Sequence, residues 1–371
     1  MAADAIRVGR PEALALRLAR HNLGARLAPG RGPAAAVVGL QDTPPHAAGI
    51  ALAARVEDAS TADLDGLVIV PSLRGAPMAV APEDLPLFTT ALDPPDEQAA
   101  QALLQTAAGT LGEMPALEAL DRVSAAEADA LAGGPLERDA FHEALRKRLP
   151  ATLLPFCRGC RSNHVHPSLW RASGVRGVLS IAGREGRTAV FALPPQVPSR
   201  ADPGAELARR FLSAYTPATP ALFAGWAGIH RRHADALWSR AGELAEVELE
   251  GARRWMIAED VVAVLDASGR ASGVRLLPGH DPYLAQRDRE LLVPDAGLRK
   301  RIWRALGNPG VVLVEGALLG LWRATKRGRR LVVAVEALDP AVRAAAEELA
   351  AEAERLAPWR GAERAEVAWQ G

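Results

Sequence analysis

Two short clusters in the 371-residue sequence combine side chains that could do chemistry. The first is Gln41-Asp42-Thr43, set between the apolar run AAAVVGL and the amphipathic run AAGIALAARV. Asp and Thr are favoured helix N-caps, and the prolines that follow suit a helix start, so turn chemistry accounts for either. Glutamine is not a favoured cap. Its amide, with two N–H donors and a carbonyl acceptor, suits holding a water or a substrate group in a cleft. The second cluster is CRGCRSNHVHP, which places Cys157, Cys160, His164 and His166 within ten positions. Two thiolates and two imidazoles are the ligand types of a tetrahedral zinc, and four protein ligands would make it structural. The single residue between the histidines is a shorter gap than usual. Small apolar thiols beside polar loop histidines are the alternative.

The elements that must position these residues follow a repeated plan of two or three helices and a strand pair. The first segment, residues 1–110, runs PEALALRLARHNL, GPAAAVVGL and PHAAGIALAARV, then LDGLVIVPSLRGAPMAVA, where alternation replaces helical spacing and RGAP reads as a hairpin turn. The second, 111–200, closes on VRGVLSIAGREGRTAVFALP as a hairpin. In the third, 201–260, three helices broken at TPATP and GI precede the hairpin LAEVELEGARRWMIA, the order of a winged helix-turn-helix. From 261 to 371 short strands are expected at VVAVLD, GVRLLP and GVVLVEGALLGLWRATKRGRRLVVAVEAL, capped by the helix PAVRAAAEELAAEAERLA. That pattern suggests a small barrel or curled sheet.

Lys plus Arg and Asp plus Glu both number 44. This balance counts against a strong non-specific nucleic-acid binder and against a membrane partner. No secretory h-region is visible, VVLVEGALLGLW is too short to span a bilayer, and two cysteines cannot build a disulfide scaffold. The protein is expected in the cytoplasm. The neutral total conceals a basic stretch, because residues 287–330 hold eleven Lys or Arg against four Asp or Glu.

Four pieces, GLQDTPPHAAGIALAARV, SLRGAPMAVAPEDLP, FLSAYTPATPALFAGWAGI and LLPGHDPYLAQRDRELL, occur in an order and spacing that resemble one family. It is the winged-helix DNA-binding family that contains the AlkZ and YcaQ DNA glycosylases, which remove alkylated purines and unhook crosslinks. The resemblance implies an α+β chain of three tandem winged helices and a C-terminal β-barrel, arranged as a C-shaped clamp around double-stranded DNA. Glycosylases of the family carry Gln-Φ-Gln or Gln-Φ-Asp, with Φ apolar. Matched through ALAARV, Gln41 keeps the first position, Asp42 falls on Φ, and Thr43 takes the second catalytic position. A threonine hydroxyl can orient water but is a poor base near neutral pH, so either hydrolysis survives in altered form or the chain is a non-catalytic, regulatory DNA binder.

Candidate DNA contacts are Arg74 at the first hairpin tip, Arg231, Arg232 and His233 at the start of a recognition-like helix, and Tyr283, Arg287 and Arg289 in GHDPYLAQRDRELL. Lys326, Arg327, Arg329 and Arg330 in WRATKRGRR complete the set. Each has a plain alternative: turn geometry for RGAP, solvated basic faces for the helix and WRATKRGRR, and a structural Asp281–Arg pair with a packed Tyr283. The chemistry requires no cofactor beyond a possible structural zinc, and the chain is expected to act as a monomer.

Overall fold

The structure, a computed structural model, describes residues 6–185, 188–265 and 271–370. Mixed α+β elements divide into two units: residues 1–66, 210–222 and 243–371 form one, and residues 67–209 with 223–242 the other.

In the first unit, helix Arg10–Arg20 turns Ala13 and Leu16 onto Val247, Leu249 and Met256 of the hairpin Leu244–Leu249/Ala252–Ile257. Strand Ile6–Val8 pairs in parallel with that hairpin. Helix Ala47–Ala53, read from sequence as amphipathic, is buried at every position, because all seven of its residues are apolar or glycine. Its Ile50 and Ala53 pack with Val274, Val312 and Val333 of a five-stranded sheet. Gly49 makes this seat possible, because a Cβ there would lie 2.1 Å from the Trp359 ring.

The five strands run in the order Val274–Leu277, Gly310–Val314, Ala317–Arg327, Arg330–Ala337 and Arg364–Gln370. The first three pairings are antiparallel and the last is parallel. Among the described residues no pairing joins the two edge strands, so the expected barrel is an open sheet. The physical reason lies at its end. Parallel neighbours need a long crossover, and helix Ala346–Leu356 supplies it, so the helix expected to cap a barrel instead links two strands. A shorter helix, Pro340–Ala344, precedes it. The run expected as the strand VVAVLD is helix Asp260–Leu265, with Asp266 outside the described residues. Five successive apolar residues fit either structure, and period alone cannot decide between them.

In the second unit the two expected hairpins share one sheet. Its antiparallel order is Pro77–Val80, Val68–Pro71, Ser180–Glu185, Thr188–Ala192 and Leu136–Glu137, joined where Ile69 meets Ile181. Sharing a sheet satisfies the inner edges that two separate wings would leave open. The order expected in 201–260 is present: helices Pro203–Ala214, Pro220–Ala227 and Arg231–Trp238, then the hairpin. Its last helix belongs to the second unit and its hairpin to the first. Among the described residues, no helix is long and apolar enough to cross a membrane.

Gly49→Ala should lower stability by about 1–3 kcal/mol, the usual cost of overpacking a close contact. Chemical denaturation reads it directly, and an unchanged midpoint would show that the Trp359 ring yields at no cost.

Candidate functional site

Leu40 and Gln41 form a two-residue strand, with Leu40 fully buried and Gln41 half-buried. The chain then passes Thr43, Pro44, Pro45 and His46 before entering helix Ala47–Ala53. His46 holds the cap position at a left-handed φ of 70° without using its side chain. The cap chemistry comes from further back: Asp42, 3% exposed, accepts the Ala48 N–H on Oδ1 at 3.3 Å. A carboxylate at a helix N-terminus meets unpaired N–H groups and the positive end of the dipole. Asp42 also opposes the downward pull that burial exerts on the nearby Arg360 guanidinium.

The other two members of the triplet are not used by the fold in this way. Among the described residues, neither the Gln41 amide nor the half-buried Thr43 hydroxyl makes a hydrogen bond. The triplet thus separates into a structural carboxylate flanked by an amide and a hydroxyl with unused hydrogen-bonding capacity.

The candidate DNA contacts fall into three groups. Tyr283 is 1% exposed and packs edge-on against His21, 5.6 Å between centroids, while burial raises its phenol well above the usual range. His233 is 8% exposed, and burial lowers its imidazole. Both are core residues, because each ring has been withdrawn from the surface where a nucleic acid could reach it. Arg74, Arg287 and Arg289 are half-buried. Arg74 donates to the Trp226 carbonyl and leans on Gly228, and Arg289 lies over the Trp303 ring at 4.9 Å. Arg231, Arg232, Lys326, Arg327, Arg329 and Arg330 are exposed. Arg231 pairs with Asp235, Arg329 with Glu363 and Arg330 with Glu366. Arg232, Lys326 and Arg327 have no carboxylate partner among the described residues.

Asp281 pairs with Arg55, which sequence reasoning had not named, through two hydrogen bonds of 2.8 and 2.7 Å. It also accepts the Tyr283 N–H. Lys300 and Arg304 were equally missed, although they contribute to the basic count of residues 287–330. With Arg301, Trp322, Arg323 and Glu336 they line a cavity of about 270 Å³ on the five-stranded sheet. Arg301 is neutralised by Glu336 at 2.5 Å, whereas Lys300 and Arg304 have no carboxylate partner among the described residues.

In the second cluster the structure brings together Cys157, Cys160 and His164, with ligand atoms all within 4.8 Å of one another. The Cys160 N–H, then the His164 ring and the Cys160 thiol, pull the Cys157 thiol down to about 7. His166 stands apart from them, its Nδ1 accepting the Ser168 N–H at the start of helix Pro167–Ala172.

The family described as "DNA glycosylase AlkZ-like" matches residues 34–359. The chain belongs to the AlkZ-like DNA glycosylase family. Membership sets it among DNA-repair proteins whose substrate is DNA. Among solved structures it is similar to the Streptomyces sahachiroi DNA glycosylase AlkZ, with a TM-score of 0.75 and 20% sequence identity, over 98% of this chain and 100% of that one. At that identity the likeness speaks for the fold. No curated protein matches it by sequence.

In this AlkZ-like chain, Asp42→Ala should cost about 1 kcal/mol of stability, the usual value of a side-chain cap. Thermal or denaturant melting measures it, and an unshifted transition would remove Asp42 from the capping role.

Proposed function

We propose that this chain excises an alkylated purine from double-stranded DNA, with Gln41 holding the hydrolytic water and Thr43 assisting. The observation that carries the reading is the division of labour in the triplet. Asp42 serves the helix, while the polar groups of Gln41 and Thr43 are left without hydrogen bonds among the described residues.

The chemistry tolerates a weak base. A purine alkylated at N3 or N7 carries a positive charge, so it leaves as a neutral base with the electron pair of the C1′–N bond. The sugar becomes oxocarbenium-like, so an oriented water attacks without a strong base, at a rate that a carboxylate in place of the hydroxyl would raise. The Gln41 carbonyl accepts one O–H of that water and the Thr43 hydroxyl the other, while the water oxygen bonds to C1′ and the surplus proton passes to solvent. The segments 1–110, 111–200 and 201–260 act as winged helices and 261–371 completes the clamp, the protein working as a monomer. Phosphate contacts fall to exposed cations without carboxylate partners, Arg232, Lys300, Arg304, Lys326 and Arg327, and the last four are supported by the basic excess of residues 287–330.

A single-turnover assay on duplex carrying N3- or N7-alkylated purine tests this reading. Wild-type protein should produce abasic sites. Gln41→Ala should slow their formation by about 10²-fold or more while changing DNA affinity by under about 1 kcal/mol. Binding by both should weaken steeply with salt. A wild-type chain that binds these duplexes and releases no base would replace the reading with DNA binding alone.

A further inference from the structure

We infer that the second unit carries a structural zinc held by Cys157, Cys160, His164 and His142, fastening the hairpin Phe156–Cys157/Ser162–Asn163 to helix Arg138–Arg148. The hairpin has the form of a metal knuckle. Cys157 ends its first strand and pairs across to Ser162, the turn between them carries Cys160, and Arg161 takes a left-handed φ of 53° to close it.

His164 is prepared in the same sense. Its Nδ1 lies 2.8 Å from the Val165 carbonyl, which requires a proton on Nδ1 and leaves Nε2 as the lone-pair nitrogen. That Nε2 is buried and without a hydrogen-bond partner. A buried acceptor without a donor is costly, and a bound cation removes the cost.

The fourth ligand is not the histidine that sequence spacing suggests. His166 spends its Nδ1 on the helix cap. His142, fifteen or more residues from both cysteines in sequence, reaches the cluster from the neighbouring helix. Its Nδ1 is also buried and unpartnered, and its ring centroid is 5.9 Å from that of His164. Two imidazoles on one tetrahedral zinc place their centroids roughly 5 Å apart, close to the 5.9 Å observed here. His142 lies outside the grouping of the other three, so it must close on them when the metal binds. Two thiolates and two neutral imidazoles favour zinc over magnesium or calcium, which take oxygen ligands.

The reduced, untagged full-length chain should contain about one zinc per molecule by elemental analysis. After chelation it should take up cobalt(II) with the intense visible bands of a tetrahedral thiolate site. Cys157→Ser with Cys160→Ser should abolish uptake, His142→Ala should weaken zinc binding by about tenfold or more, and His166→Ala should leave it unchanged. The cobalt titration of the wild-type chain needs no variant and stays decisive if a variant fails to fold. Absence of zinc together with no cobalt uptake at micromolar concentration overturns the site. So does a Cys157–Cys160 disulfide in protein purified under reducing conditions. Weakening by His166→Ala without weakening by His142→Ala overturns the ligand set.

Discussion

A buried guanidinium, Arg17, organises the first unit. It is fully buried on helix Arg10–Arg20, and all five of its N–H donors are engaged. Nε donates to the Thr216 carbonyl at 2.9 Å, and Nη2 to the Pro217 carbonyl at 3.2 Å. Both terminal nitrogens grip Asp288, at 3.0 and 2.9 Å, and Nη1 also reaches Gln286. One side chain thus ties the N-terminal helix to the TPATP turn and to the GHDPYLAQRD loop. Arg55, at the end of the helix that follows the triplet, repeats the device on Asp281 of the same loop. Tyr215 closes the arrangement by donating to the Pro282 carbonyl at 2.8 Å. Removing one partner from such a buried pair typically costs about 3–5 kcal/mol, because the other charge is left uncompensated.

This network explains why the stretches that carry the family resemblance contain so many charged and polar residues and yet offer few to DNA. GHDPYLAQRDRELL reads as a basic, aromatic recognition segment. In the fold its Asp281, Gln286 and Asp288 are the receptors for two buried arginines, and Tyr283 is walled in by His21. The turn that carries Gln41, Asp42 and Thr43 leads into helix Ala47–Ala53, which is fixed on both sides: by Arg55 to Asp281, and by Gly49 against Trp359.

Local pattern disclosed most of the elements, because amphipathic spacing and turn residues act within a few positions. The RGAP hairpin, the helices of 201–260 and the CxxC turn are of this kind. What escaped was set by distant partners. RAEVAWQ, residues 364–370, alternates as a strand should, but nothing local shows that it pairs in parallel with Arg330–Ala337. Ile69 meeting Ile181, and His142 lying beside His164, likewise join residues whose sequence separation carries no signal. Charge misled for a related reason. Arginine in this chain is as much a core donor as a surface cation, and composition does not distinguish the two. Gln41 stood out because capping does not account for a glutamine there, and its amide makes no hydrogen bond among the described residues.

The central claim is that Gln41 and Thr43 occupy the two chemical positions of the turn, and that Asp42 between them is structural. Thr43→Asp tests it most directly, because it puts a carboxylate at the position where the resemblance assigns the second catalytic residue. Single-turnover base release from alkylated duplex is the measurement, made with DNA affinity and melting temperature recorded on the same preparation. The account predicts a rate about tenfold or more above wild type, since an orienting hydroxyl becomes a general base. A variant that is folded and binds DNA normally, yet is no faster than wild type, would contradict it.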